Sequence, residues 1–100
     1  MIAAATDVVP DLWENAGDWV PWVESDGQLC RTGASVFASW RRESSKQMPH
    51  VHLAFSDGPF SLGLSLLPGQ ARDLAAQLVR AAELAEATQA ALDAERAQEQ

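Results

Sequence analysis

His50 and His52 stand two apart in the stretch HVHLAF, so on an extended strand both imidazoles point to the same face. Two histidines on one strand face can supply two ligands to a zinc ion, which then needs at least a third donor. Across the expected hairpin their neighbours are Ser65 and Gly63, and neither is a useful ligand. Cys30 is the lone cysteine and could approach only if its own strand pairs nearby. The plainer reading is the polar face of a hairpin, with Gly63 leaving room for a ring. It outweighs a metal centre, and no cofactor is expected.

Catalysis has no better footing. Cys30 or a serine would need a base beside it to act as a nucleophile. The chain carries no GxSxG elbow, and no pattern ties Cys30 to a histidine. A lone small cysteine more often packs as a buried apolar residue. The carboxylates fall on solvated helix faces and in an acidic N-terminal segment rather than as an acid–base pair. Gly-rich phosphate loops and dinucleotide fingerprints are absent from the sequence. The expectation is a protein that is not an enzyme, with no small-molecule substrate in view.

The elements that must position these residues follow from size and pattern. One hundred residues, 47% hydrophobic and 21% charged, suit a single globular domain over 1–100. A formal charge of −7 and a pI near 4.5 argue against a polyanion as main partner. The lone cysteine rules out an intramolecular disulfide and suits a reducing cytoplasm. MIAAATDVVPD has no basic residue before its short apolar run, so no signal peptide is expected, and no run is long enough to span a bilayer.

Residues 1–30 carry six acids, no base, and three of the four tryptophans: Trp13, Trp19 and Trp22. Pro10, Gly17, Pro21 and Gly27 break any long helix, so the segment reads as irregular. Asp26-Gly27 marks one candidate hairpin, with Val23 opposite Cys30. The three large rings either cover the sheet's second face or meet a partner, and covering is the favoured reading for at least two of them.

Residues 34–66 read as antiparallel strands. ASVFASWRR places Val36, Ala38 and Trp40 on one side. In 50–66, Val51, Leu53, Phe55, Phe60, Leu62, Leu64 and Leu66 share one face across the turn signal Asp57-Gly58-Pro59. Because Pro59 has no N–H to give a ladder, a four-residue loop, Ser56 to Pro59, is expected. That loop sets Phe55 opposite Phe60, Leu53 opposite Leu62, and Val51 opposite Leu64.

From Pro68 the period becomes helical. Leu67, Ala71, Leu74, Leu78, Ala81, Ala85, Thr88 and Leu92 form a stripe, and eleven alanines between Ala71 and Ala97 add helix propensity. A helix over 68–96 would be roughly 43 Å long, against about 23 Å for a seven-residue strand. The overhang, with Leu84, Thr88 and Leu92, must fray, fold back on the Trp-rich N-terminal segment or meet another chain, and contact with a second copy is the favoured of the three.

The passage SLGLSLLPGQARDLAAQLVRAAELAEA resembles a group of small actinobacterial and phage proteins of unknown function. In that group a Leu/Ser strand runs into a helix of pattern Pro-x-Gln-Ala-Arg-x-Leu-Ala-x-x-Leu, matched here by Pro68, Gln70, Ala71, Arg72, Leu74, Ala75 and Leu78. The resemblance covers residues 60–86 and implies a source and a fold rather than an activity. Some of these proteins carry a Trp-Cys pair with a further Cys or His near the N-terminus. This chain has Trp22-Val23 and only Cys30 nearby.

The expected fold is α+β: an antiparallel meander of about three strands, with the N-terminal hairpin as a candidate addition, packed on one long C-terminal helix. The expected function is a small cytoplasmic protein-interaction protein, accessory or regulatory, that forms a homodimer through that helix. Partner contacts are assigned to Trp13, Trp19, Trp22, Leu84, Thr88 and Leu92. The competing reading is a nucleic-acid-binding module using Arg31, Arg41, Arg42 and Lys46, a basic patch beside Trp40.

Overall fold

A computed structural model describes residues 9–44 and 48–99. The chain forms two compact units, one through Pro68 that holds the sheet and one from Gly69 onward that holds nearly all of the helix. The class is α+β: a four-stranded antiparallel sheet and one long C-terminal helix.

The strands are β1 (Leu12–Asn15), β2 (Gly33–Trp40), β3 (His50–Asp57) and β4 (Phe60–Leu66), and they lie side by side in chain order. β2 ends at Trp40, directly before Arg41, and Arg42–Ser44 makes a single tight helical turn. The Arg42 N–H donates to Asp11 Oδ1 at 2.8 Å, which holds the chain as it leaves the sheet.

The β3–β4 hairpin has the expected faces but not the expected register. Asp57 pairs with Phe60, so the loop is only Gly58-Pro59. Phe55 therefore faces Leu62, Leu53 faces Leu64, and Val51 faces Leu66, each two residues from the expected partner. The reason lies in the turn. Gly58 has φ +59°, and proline's ring fixes the next φ near −65°, the combination of a type II′ turn. In that turn Pro59 sits at a central position whose N–H no ladder bond uses. Its missing donor is no obstacle.

The N-terminal segment is a broken strand rather than an irregular coil. β1 pairs Leu12 with Trp40 and Asn15 with Phe37. The Ala16 N–H then donates to the Val36 carbonyl at 2.9 Å, and Val20 exchanges two bonds with Ala34 at 2.7 and 2.8 Å. Residues 17–19 bulge out between these two anchors, opposite the single residue Ser35. Gly33 makes the second anchor fit. Its φ is +113°, and a Cβ there would lie 2.1 Å from the Val20 carbonyl oxygen.

Farther along, Val23 bridges Leu29, not Cys30. The Glu24 N–H bonds Gln28 O at 2.7 Å, closing a three-residue turn, and Asp26 Oδ1 accepts from the Gln28 N–H at 3.0 Å. Cys30 is buried, and its Sγ accepts the Trp22 N–H at 3.2 Å.

One sheet face carries Val36, Val51, Leu53, Phe55, Leu62 and Leu64. The other carries Trp13, Asn15, Ser35, Phe37, Ser39, His50, His52 and Ser65. On the apolar face Leu64 is 48% exposed, Leu62 62% and Phe60 77%. Among the described residues Cys30 is the only buried apolar side chain.

The helix, α1 (Pro68–Gln98), runs 31 residues, about 46 Å at 1.5 Å per residue. Proline at its first position needs no N–H there, and alanine sustains its length. None of its residues is buried. No helix among the described residues is long and apolar enough to cross a membrane.

Candidate functional site

The polar face of the sheet is organised around His52. β2–β3–β4 pairing places Phe37, His52 and Ser65 in one row across the strands. Ser39 Oγ lies 2.8 Å from His52 Nε2, and Ser65 Oγ lies 3.0 Å from Nδ1. The expected register sets Gly63 against this ring, and the two-residue shift puts the Ser65 hydroxyl there instead. Burial, with the neighbouring His50 as the smaller cause, holds the imidazole below its ordinary pKa. His52 is therefore neutral at pH 7.

Rings continue on both sides of it. Trp13 and Phe37 lie 4.6 Å apart between centroids, Phe37 stacks on His52 at 4.7 Å, and His52 meets His50 edge-on at 4.5 Å. His50 Nδ1 is within 2.8 Å of the Met48 carbonyl oxygen and donates to it. Both nitrogens of His52 are thus engaged by hydroxyls. Among the described residues no group of three His, Cys, Asp or Glu side chains is placed to hold a metal ion. A Ser39–His52 pair has the separation of a nucleophile and its base, yet Ser39 is buried, with 7% of its surface exposed. A hydroxyl so placed has no path to a substrate.

Beside the ring ladder, the bulge at 17–19 closes a concavity lined by Trp13, Asn15, Asp18, Trp19, Ser35 and Phe37. The signal for it was legible: LWEN alternates between Pro10 and Gly17, which puts Trp13 and Asn15 on one face. The proline and glycines around it hid the strand. Trp13 and Trp19 lie over the sheet's second face, Trp13 against Phe37, yet stay 66% and 46% exposed. Trp22 is half-buried against Phe55, 6.1 Å between centroids, at the far end on the apolar face.

That end also holds a carboxyl pair. Glu24 is raised from its ordinary value chiefly by a hydrogen bond with Asp57. Asp57 is lowered by the same bond and by the Arg31 N–H, which donates to its Oδ1 at 3.2 Å. The two carboxyls bring the 24–28 turn and the β3–β4 turn into electrostatic contact.

The basic residues do not form one patch. Arg31 lies before the start of β2, while Arg41 and Arg42 follow its end. Ten residues of extended chain separate them, roughly 33 Å. The Arg42 guanidinium sits over the Trp40 ring at 5.1 Å and donates to the Val9 carbonyl. Lys46 lies outside the described residues. On α1, Leu84 and Leu92 are exposed, and the Thr88 hydroxyl donates to the Leu84 carbonyl at 3.1 Å. That bond satisfies the hydroxyl locally and leaves the threonine methyl for contact.

No family model, curated protein or solved structure matches this chain.

Proposed function

We propose that this is a small interaction protein of the cytoplasm that self-associates through α1 and acts by contact rather than by catalysis. The observation that carries the reading is a 31-residue helix without one buried residue, along which Leu78, Val79, Leu84 and Leu92 remain exposed. Helices in water owe most of their stability to burying an apolar stripe, and this stripe has Leu74, Leu78 and Leu92 to bury.

Its composition favours an antiparallel second copy. Pairing two helices about Glu83 sets Leu74 against Leu92, Leu78 against Thr88, and Ala81 against Ala85. Small residues at the centre let the backbones approach, and leucines close each end. Charge points the same way. Residues 68–82 hold two bases and one acid, whereas 83–99 hold five acids and one base. Antiparallel pairing sets the basic half against the acidic half; parallel pairing stacks acid on acid.

Six leucines buried per dimer, at about 1.5–3 kcal/mol each, give on the order of 10 kcal/mol. Association costs about 4–15 kcal/mol in lost freedom, so at most about 6 kcal/mol remains and dissociation is expected at about tens of micromolar or weaker. The nucleic-acid reading has less support, since Arg42 is engaged by its own chain and Arg31 is remote from it.

Light scattering across a hundredfold concentration range tests the reading. The full chain should pass from monomer to dimer at about tens to hundreds of micromolar, and a chain ending at Ala87 should remain monomeric. Arg72→Glu with Arg80→Glu should raise the dissociation constant. A dimer that survives truncation, or a full chain that stays monomeric throughout, refutes the proposal.

A further inference from the structure

We infer that the concavity between β1, the 17–19 bulge and β2 is a binding site for a soft organic cation, an alkylated ammonium group. The argument begins with what lines it. Trp13, Trp19 and Phe37 present aromatic surface, and Asp18 is the single charge among the lining residues. No lysine or arginine shares the lining, so an anion would be repelled. A purely apolar guest would strip water from Asp18 and Asn15 without replacing their hydrogen bonds. A bare metal ion would find one carboxylate where it needs several oxygen ligands. Ring faces carry negative charge density that attracts cations, most effectively when the cation is weakly hydrated, and a carboxylate at the margin adds to that attraction.

The site is also built before any ligand arrives. Trp13 rests on Phe37, Phe37 stacks on His52, and His52 is fixed at both nitrogens by Ser39 and Ser65. The bulge that carries Asp18 and Trp19 is pinned at one end by the bond from Ala16 to Val36 and at the other by the Val20–Ala34 pair. Ser35 and Ala54, both small, contribute to the floor. Trp13 on its stacked support, and Trp19 on a backbone pinned at both ends, lose little freedom on binding, which is the condition for affinity from a small contact area.

Intrinsic tryptophan fluorescence of the full chain, titrated with choline, tests this. Saturable quenching is expected. The comparison ligand is dimethylbutanol, in which carbon replaces the charged nitrogen without changing the shape. It should bind about tenfold more weakly, within the range that two or three ring contacts supply. Asp18→Asn should weaken choline severalfold and Trp19→Ala should abolish it. Trp22→Phe, on the opposite face, should leave it unchanged and shows that the quenching reports this site. Far-UV circular dichroism of each variant confirms that the sheet persists. A peptide bearing trimethyl-lysine separates two sources of the same chemistry: tighter binding than choline assigns the ligand to a modified protein chain, and equal binding to the headgroup alone. Equal affinity for choline and dimethylbutanol, an unaffected Trp19→Ala, or no saturation at tens of millimolar overturns the inference.

Discussion

Gly33→Ala concentrates the strain of the fold into one methyl group. The added Cβ would lie 2.1 Å from the Val20 carbonyl oxygen and close to Pro21 Cα, both backbone atoms that no rotamer change can move. The chain would have to separate Val20 from Ala34, losing two backbone hydrogen bonds worth about 1 kcal/mol each. An alanine held at φ +113° adds about 1–2 kcal/mol more. The expected loss is about 3–4 kcal/mol, a large share of the 5–15 kcal/mol typical of a domain. Urea unfolding followed by tryptophan emission reads it as a lower midpoint at unchanged slope. Because the Val20–Ala34 pair also pins the bulge, choline quenching should fall in the same variant under conditions where it remains folded. A loss below about 1 kcal/mol would show that the close approach at Gly33 does not hold the N-terminal strand, and the reasoning would fail.

Two further outcomes follow from the titrating groups. The folded state holds His52 below its ordinary value of 6.5, so the unfolded chain takes up the proton first. Stability should be full above about pH 6.5, fall as the pH drops below it, and level off beneath the folded value. Unfolding midpoints from pH 8 to 5 check this, and His52→Gln should flatten the profile. At the other end of the sheet, Asp57→Asn should bring the Glu24 titration, followed by carboxyl NMR shifts, back toward 4.5, because the hydrogen bond that raises it is the main cause. An unmoved Glu24 would place that cause elsewhere.

What the sequence disclosed and what it hid have separate physical causes. The faces of β3 and β4 were legible because alternation has a period of two, and a shift of two residues in register leaves every side chain on its predicted face. For the same reason alternation could not fix the register. Only the turn could, and it hinged on Gly58-Pro59 taking the two central positions. β1 was hidden because it is short and interrupted: its pairing is carried in pieces by Leu12–Asn15, Ala16 and Val20, with a bulge between. The cation site went unseen with it. Trp13 and Trp19 were legible as rings without a home, but their meeting with Asp18 and Phe37 depends on that bulge. The helix was plain from its leucine spacing and alanine content, ending at Gln98 rather than 96.

The order of the strands carries a consequence for how quickly the chain finds its fold. Each strand pairs with its immediate neighbour in sequence, and the helix is built from contacts four residues apart. The β3–β4 pair needs only a two-residue turn with a preset proline, so it can close within about 1–10 μs. β2 then adds to an existing template. The longest closure, joining β1 to β2, is shortened by the turn at 24–28, which brings Val20 toward Ala34 before Leu12 must find Trp40. A chain zipped outward in this way exposes unpaired strands only briefly, which limits the time in which their free edges can pair with another chain.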